Sequence, residues 1–325
     1  MTSRSTEAKE RVDRIAIIIP ALNEGRSIAE NLQTIRSHVV SVSDCQVSLL
    51  VVDDGSSDNT AEQVLAYRKD DPDVYLLCLN RHFGKEAAIS AGLRAVPDFD
   101  AVIVMDSDLQ HPPALLEEMI AQWRGGSAVV EAVKLSRGSE SAVKGSLVKV
   151  YYRLFSYLTE IDISGDTDYK LLDREVVLSV NALPEHGRFF RGLIKWMGYP
   201  TTSISFDVPA STRQRSNWGS SALFKYALSS ITSFTAFPLQ LVSLMGILTF
   251  IISVVFGFMA LSDKLSGQAV DGFTTVILLL LIIGSVLMFS VGLIGAYIGR
   301  IYDEVKRRPN FVTDNKRSVL PEDNE

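Results

Sequence analysis

Acidic side chains follow two apolar runs in the first third of this 325-residue chain. Asp106, Asp108 and Gln110 come after the run 101–105, and Asp53 follows a second run. If the backbone stays extended, residues two apart point the same way, so Asp106, Asp108 and Gln110 share one side. Carboxylates that converge repel each other unless a cation lies between them, and oxygen ligands at a strand end suit Mg²⁺ or Mn²⁺. Such an ion neutralises the diphosphate of a nucleotide and stabilises it as a leaving group. For the Asp-x-Asp pair alone, an exposed acidic turn is the alternative.

The other acidic cluster runs from Asp53 through Asp54 and Gly55 to Asp58. Carboxylates after a strand can accept hydrogen bonds from a base or from ribose hydroxyls, and the glycine lets the backbone approach a ligand. Ordinary turn chemistry also accounts for this cluster on its own. Neither G-x-G-x-x-G nor G-x-x-x-x-G-K-[ST] occurs, which excludes the common dinucleotide fold and the phosphate-loop NTPases.

Short apolar runs and helical patterns alternate around these clusters. The runs are continuous rather than alternating, which is typical of strands covered by helices on both faces of a mostly parallel sheet. The pattern predicts an α/β fold whose ligands bind at the carboxyl ends of the strands. The predicted strands are 15–19, 47–52, 74–79 and 101–105, and the predicted helices are 27–39, 60–68 and 85–95.

Two later segments, 237–261 and 274–299, carry no charge. Each exceeds the roughly 20 helical residues that cross a ~30 Å hydrocarbon layer, so we predict two transmembrane helices. A pair of buried core helices is the alternative. The loop between them has a single basic residue, whereas several precede the first segment and follow the second, which predicts that both termini are cytosolic.

Composition narrows the function classes further. The chain has 32 Lys and Arg against 38 Asp and Glu, a net charge of −6, which argues against nucleic-acid binding by bulk charge. With only Cys45 and Cys78, a disulfide framework is excluded and a reducing compartment is expected. The four histidines do not have zinc-site spacing.

Four motifs, IIIPALNEG, VVDDGSSDNT, NRHFGKEAAISAGL and VMDSDLQHPP, occur in this order. Together they resemble the GT-A catalytic domain of family 2 glycosyltransferases. The later motifs DTDYKLLDREVV, GRFFRGLIKWMGY and FPLQLVSLMG narrow the resemblance to the polyprenyl-phosphate glycosyltransferases, over residues 15 to about 300. That group contains dolichol-phosphate mannose synthases and bacterial enzymes that glucosylate undecaprenyl phosphate for O-antigen or cell-wall modification.

The resemblance implies inverting transfer of a hexose from a nucleotide sugar to a lipid phosphate. UDP-glucose is the preferred donor, with UDP-N-acetylhexosamine, UDP-galactose and GDP-mannose as alternatives. The residues that the resemblance assigns to the nucleotide are Pro20, Asn23, Glu24, Asp53 and Asp106. Those assigned to Mg²⁺ or Mn²⁺ are Asp106, Asp108 and Gln110. Those assigned to catalysis are Asp168, as base or acceptor orienter, and Arg188 and Arg191, near the sugar and diphosphate.

The chain departs from this group at two places. Lys170 stands where the group has an arginine, and lysine lacks the bidentate fork for a phosphate. The basic stretch with Arg213 and Arg215 is shifted from the group's pattern, so neither arginine receives a role. Further cationic candidates, for either the acceptor phosphate or the departing diphosphate, are Arg137, Lys144 and Lys149.

The predicted organisation places the catalytic part before the membrane. An amphipathic pattern at 143–161 fits either a membrane-surface helix or a helix on the sheet. The small residues Gly295 and Gly299 would let either the two membrane helices or two protomers of a homo-oligomer approach closely, and chance is the alternative explanation of their spacing. The expected location is the bacterial inner membrane. The predicted parts are a tail at 1–14, a cytosolic GT-A domain at 15–215, an interfacial segment at 216–236, a two-helix membrane region at 237–299 and a cytosolic tail at 300–325.

Two other functions remain open from the sequence. A processive polysaccharide synthase of the same superfamily would carry a Q-x-x-R-W motif and more membrane helices, and the segment 214–218 resembles that motif only superficially. A non-catalytic membrane subunit would tolerate loss of the acidic residues, whereas Asp53, Asp106 and Asp108 are intact.

Overall fold

The computed structural model describes residues 12–39, 44–134, 165–185, 188–206, 237–266 and 272–321, with single positions at 153, 156, 157, 159 and 235. The chain divides into two compact units. One comprises 1–152, 161–216 and 309–325, and the other 153–160 and 217–308. The predictions for Arg137, Lys144, Lys149, Arg213 and Arg215 fall outside the described residues, as do the interfacial segment 216–236, apart from position 235, and most of 143–161.

The described part of the first unit contains a seven-stranded sheet of order β3-β2-β1-β4-β6-β5-β7. Four neighbouring pairs are parallel, and β6 is antiparallel to both β4 and β5. The predicted mostly parallel α/β sheet is confirmed. The strands are β1 Asp13–Ala21, β2 Cys45–Asp53, β3 Val74–Cys78, β4 Ala101–Val104, β5 Val129–Lys134, β6 Lys170–Asp173 and β7 Thr201–Phe206.

Helices cover both faces of this sheet. Ile17 of β1 belongs to one hydrophobic cluster, while its neighbour Ile18 belongs to another on the opposite face. Two-sided burial explains why the strands are continuously apolar. The helices of this unit are α1 Ile28–Val39, α2 Thr60–Tyr67, α3 Lys85–Ala95, α4 Leu116–Arg124, α5 Arg174–Ala182 and α6 Phe190–Trp196.

Helix α3 packs closely on the centre of the sheet. A Cβ atom at Gly92 would lie 2.5 Å from the Ile18 side chain, so this contact requires glycine. The bounds of α3 equal the predicted 85–95, and α1 and α2 each differ from prediction by one residue at one end.

The antiparallel strand β6 brings distant parts of the chain together. Val104, at the end of β4, pairs with Lys170, at the start of β6. The residues that precede β6 therefore lie at the same edge of the sheet as those that follow β4.

The second unit contains two long helices, α7 Phe237–Leu265 and α8 Phe273–Lys306. By length and composition, Leu239–Met259 and Ile282–Lys306 are long and apolar enough to cross a membrane, and neither window is buried in the protein. The helices extend beyond the predicted segments, to Leu265 and Lys306.

The C-terminal residues 309–321, here called the C-terminal strap, belong to the first unit and lie against the outer edge of β3. Leu76 and Val319 exchange two backbone hydrogen bonds, of 2.9 and 2.7 Å. The Asp314 amide donates to the carbonyl of Cys78, and the Asn80 amide donates to that of Val312. The strap satisfies backbone groups that an edge strand would otherwise expose.

Replacing Val319 by proline removes the amide that donates to Leu76. We expect a loss of about 1–3 kcal/mol in the free energy of unfolding, and a melting temperature lower by about 3–8 °C. Thermal unfolding of the full chain in detergent, followed by near-ultraviolet circular dichroism, measures the change. Leu320→Ala is the matched control because it leaves the backbone unchanged. A melting temperature for Val319→Pro equal to that of the control would show that the strap contributes no stability.

Candidate functional site

The candidate site lies at the edge of the sheet where β1, β2 and β4 end and β6 begins. Asn23 follows β1, Asp53 ends β2, Asp106 follows β4 and Asp168 precedes β6. Because parallel strands end together, three loops and the approach to β6 share this edge.

The loops after β1 and β2 are joined by side chains. The Ser57 amide donates to Asn23 Oδ1 at 2.9 Å, and the Asn23 amide donates to Ser56 Oγ at 2.9 Å. The Glu24 amide donates to Thr60 Oγ1. These contacts bring Asn23 and Glu24 to the end of β2, where Pro20 of β1 is also found, paired with Val52.

Asp53 is fully buried at the end of β2. Its Oδ1 atom accepts a hydrogen bond from the Ser56 amide at 2.9 Å. Its Oδ2 atom is buried, and no described residue donates to it. An unsatisfied buried acceptor is costly, so Oδ2 is a ready partner for an N–H or O–H group of a ligand.

Asp54 holds the loop that follows β3. Its carboxylate accepts from His82 Nδ1 and from the amides of Phe83 and Gly84, at 2.8 to 2.9 Å. At Gly55, where φ is +71°, a Cβ atom would clash with the backbone of Arg81. The close approach of these two loops therefore requires glycine.

Asp106 follows the end of strand β4 and Asp108 lies in the turn that comes next, so neither is on a strand. Strand β4 ends at Val104, and Leu109 has a left-handed φ of +56°. The extended conformation that would align both carboxylates with Gln110 is therefore wrong. Asp108 Oδ1 accepts instead from the Gln110 amide at 3.1 Å, which closes the turn.

The chemistry of this turn still fits a divalent cation. In the described part of the chain, no cluster of three or more His, Cys, Asp or Glu side chains has metal-site geometry. However, Asp106 and Asp108 provide hard carboxylate oxygens, both side chains are partly exposed, and Gln110 adds a carboxamide oxygen. Mg²⁺ and Mn²⁺ sites that also bind phosphate typically have few protein ligands, which leaves coordination positions of the ion open.

Lys85 is a site residue that the sequence analysis did not select. Its Nζ atom lies 2.5 Å from Asp106 Oδ1 and 2.6 Å from Asp168 Oδ2. Burial lowers the pKa of Lys85, but the two carboxylates more than offset this and raise it, so the amine is charged. One sequence signal could have identified Lys85 as a site residue: it starts the predicted helix 85–95, directly after a strand and its loop.

Asp168 is buried and contacts two cations. Arg191 binds it with both donors of its fork, Nε to Oδ1 at 2.6 Å and Nη2 to Oδ2 at 2.9 Å, and Lys85 binds Oδ2. Burial alone would raise the pKa of Asp168, but the hydrogen bonds and charges of Arg191 and Lys85 hold it well below its usual range. Asp168 therefore remains ionised and orients these cations.

Glu86 joins α3 to α6. Its Oε2 atom accepts from the Phe190 amide at 2.9 Å, next to Arg191. Burial, and then the negative charge of Asp168, raise the pKa of Glu86 to about 7. This contact fixes the start of the helix that carries Arg191.

The structure does not bring Arg188 to this cluster. Its guanidinium donates to the backbone oxygens of Leu183 at 2.7 Å and Glu185 at 3.2 Å. The role that the resemblance gives to Arg188 stays a prediction.

Lys170 lies beneath the site and is fully buried. Its Nζ atom is 2.9 Å from Glu131 Oε2 and 2.5 Å from Asp166 Oδ1. Lys195 lies farther from the same two carboxylates, at 3.7 and 3.9 Å. Arg191 donates to the backbone oxygen of Asp166, so this buried network supports the segment that carries Asp168.

Residues 16–175 match the family model described as Glycosyl transferase family 2. An uncharacterized glycosyltransferase of Synechocystis sp. is 34% identical, over 93% of this chain and 95% of its own. The putative glycosyltransferase CsbB of Bacillus subtilis is 34% identical, over 96% and 95%. The bactoprenol glucosyl transferase of Shigella phage SfV is 31% identical, over 94% and 99%.

Solved structures resemble the chain more weakly. Glucosyl-3-phosphoglycerate synthase from Mycobacterium tuberculosis, in complex with Mn²⁺, UDP and phosphoglyceric acid, is 22% identical with a TM-score of 0.45, over 67% of this chain and 75% of that one. The mannosyltransferase PcManGT from Pyrobaculum calidifontis, in complex with GDP-Man and Mn²⁺, is 20% identical with a TM-score of 0.42, over 62% and 59%.

Proposed function

This chain is a glycosyltransferase that belongs to glycosyl transferase family 2 and has a GT-A fold, and from that premise we propose that it transfers a hexose from a nucleotide sugar to a polyprenyl phosphate. The preferred donor is UDP-glucose, and the anomeric carbon is inverted. One observation carries the proposal. Asp106 and Asp168 both contact the ammonium group of Lys85, at the sheet edge where no described residue donates to Asp53 Oδ2. Similarity to a bactoprenol glucosyl transferase over more than nine tenths of both chains supports the acceptor.

The donor's nucleoside lies at the ends of β1 and β2 in this proposal. Asp53 Oδ2 accepts a hydrogen bond from the base or a ribose hydroxyl, which satisfies its buried oxygen. Pro20, Asn23 and Glu24 shape the wall beside it. Asp106, Asp108 and Gln110 would hold Mg²⁺ or Mn²⁺, which supplies positive charge to the donor diphosphate.

The acceptor needs no strong base. A phosphate monoester has a second pKa near ~6, so much of it is dianionic at neutral pH. One of its oxygens forms a bond to the anomeric carbon while the bond from that carbon to the diphosphate oxygen breaks. The nucleoside diphosphate leaves with the bonding electrons, and no proton is transferred.

What the reaction needs is positive charge near two phosphate-bearing reactants. Lys85 and Arg191 supply it, and Asp168 fixes their positions through the contacts described above. The resemblance also assigns Arg188 to the donor diphosphate, but its guanidinium contacts the backbone oxygens of Leu183 and Glu185, so this role stays a prediction.

The proposed location is the bacterial inner membrane, with the catalytic domain and both termini in the cytosol. Helices α7 and α8 have the length and composition to anchor the chain there. A polyprenyl tail stays in the bilayer, so the sugar must be transferred where the lipid phosphate meets water. In this proposal the product serves O-antigen or cell-wall modification.

The decisive experiment incubates the purified full chain with undecaprenyl phosphate in detergent, Mg²⁺ or Mn²⁺ and a panel of nucleotide sugars. We expect a lipid product heavier by one hexose, formed best from UDP-glucose, lost on chelation and identified by mass spectrometry. The configuration of the product, determined by NMR, tests inversion. Polymer formation would favour the processive synthase, and no lipid product from any donor would overturn the proposal.

A further inference from the structure

Lys85 links the two carboxylates on which the proposed chemistry depends. We infer that Lys85 is a resident cation of the site. Its ammonium group holds Asp106 next to Asp168 until a divalent metal ion binds Asp106 in its place. This inference rests on the proposed function, because it concerns the metal site that the function requires.

The contacts of Lys85 are those of a bridging ion. One Nζ atom lies within 2.6 Å of carboxylates from two separate segments, the turn after β4 and the approach to β6. Without a cation between them, these two carboxylates would repel each other. The ammonium group therefore stabilises the metal-free arrangement of both segments.

The two halves of the bridge differ in exposure. The Asp168 side chain is 6% exposed, whereas those of Asp106 and Lys85 are 30% and 42% exposed. An ion arriving from solvent therefore reaches the Asp106 contact first. Asp168 is also held by Arg191, so it stays in place when the Asp106 contact breaks.

A metal at Asp106 and the ammonium at its present position would compete. Both need the same carboxylate, and two cations in such proximity repel each other. The lysine side chain can turn about its own bonds and keep its contact with Asp168. The nitrogen then has donors available for a phosphate oxygen of the donor or acceptor.

This arrangement predicts that removing the charge of Lys85 strengthens Mn²⁺ binding but slows sugar transfer. In Lys85→Met, Mn²⁺ no longer competes with an ammonium group, so we expect it to bind the nucleotide-free full chain about tenfold more tightly. The rate of transfer at saturating Mn²⁺ should fall at least about tenfold, because a cation is missing next to the phosphates. The signal of free Mn²⁺ in electron paramagnetic resonance gives the affinity, and glycolipid formation gives the rate.

Two further variants separate this role from a structural one. Lys85→Arg keeps the charge and should bind Mn²⁺ about as wild type does. Lys69→Met removes an exposed lysine after α2 and should change neither quantity. Near-ultraviolet circular dichroism of Lys85→Met checks its fold. If that variant is unfolded, Lys85→Gln takes its place with the same expectation.

Unchanged or weaker Mn²⁺ binding by folded Lys85→Met would overturn the inference, whatever the wild-type chain transfers. Tighter binding that persists in Lys85→Met combined with Asp106→Ala would also overturn it, because the competition is placed at Asp106. If the wild type forms no glycolipid while Lys85→Met still binds Mn²⁺ more tightly, the proposed function fails and the competition at Asp106 stands.

Discussion

Replacing Asp168 by asparagine is expected to lower kcat for glycolipid formation by about a hundredfold to a thousandfold. Asparagine has the same shape but no charge, so the bidentate contact with Arg191 and the contact with Lys85 are both weakened. Arg191 and Lys85 then lose the carboxylate that positions both of them. Steady-state kinetics with varied donor and acceptor measure the effect, with folding checked by thermal unfolding.

The pH dependence separates an orienting role from that of a general base. Arg191 and Lys85 outweigh burial and keep the pKa of Asp168 well below its usual range, so the carboxylate is ionised throughout about pH 5 to 9. The wild-type rate should therefore rise through about pH 6 because the acceptor phosphate loses its second proton there, and not because Asp168 ionises. Asp168→Asn should keep this profile at a lower height.

The matched control is an exposed acid–arginine pair. Asp98 lies 3.2 Å from Arg174, and both side chains are largely exposed, so Asp98→Asn should change kcat by less than about twofold. A kcat for Asp168→Asn close to that of Asp98→Asn would refute the orienting role. Loss of the pH-dependent rise in Asp168→Asn would instead identify Asp168 as the base.

The strands were predictable because their signal is local. Each central strand is buried on both faces, so a continuous apolar run such as 15–19 marks β1 without any knowledge of its neighbours. The same reasoning predicted that Asp53 and Asp106 share an edge, since both follow strands that run in parallel. The turn at Leu109 was not predictable, because a left-handed φ at a leucine has no reliable sequence signal.

The other half of the site depends on pairing between distant residues. Asp168 reaches Asp106 only because β6 runs antiparallel to β4, and no local pattern shows that pairing. Resemblance to known enzymes supplied Asp168 and Arg191 instead. The C-terminal strap depends on distant pairing too, which is why the sequence predicted 309–321 only as part of the cytosolic tail 300–325.

Charged residues show most clearly what the sequence alone does not predict. Lys85 begins α3 and Lys69 follows α2, yet Lys85 bridges two site carboxylates and Lys69 is exposed. Arg188 and Arg191 were assigned together from one motif, but only Arg191 reaches Asp168. Side-chain charge alone does not distinguish a surface residue from a site residue.

Replacing Lys170 by methionine should have the largest effect on stability. Lys170 is fully buried between Glu131 and Asp166, and methionine would leave both carboxylates without their main cation. Breaking a buried ion pair by removing one partner costs about 3–5 kcal/mol. We expect a melting temperature lower by about 10 °C, measured for the full chain in detergent.

The comparison with Lys195 tests the cause of this loss. Lys195 lies farther from the same carboxylates and is partly exposed, so Lys195→Met should lower the free energy of unfolding clearly less than Lys170→Met does. Neutralising both acids with Glu131→Gln and Asp166→Asn should restore much of the stability that Lys170→Met loses, because no uncompensated charge remains buried. If Lys170 contacted a substrate phosphate instead, Lys170→Met would raise KM and leave the melting temperature unchanged. That result would contradict the buried position of Lys170, and with it the support that this network gives to the segment carrying Asp168.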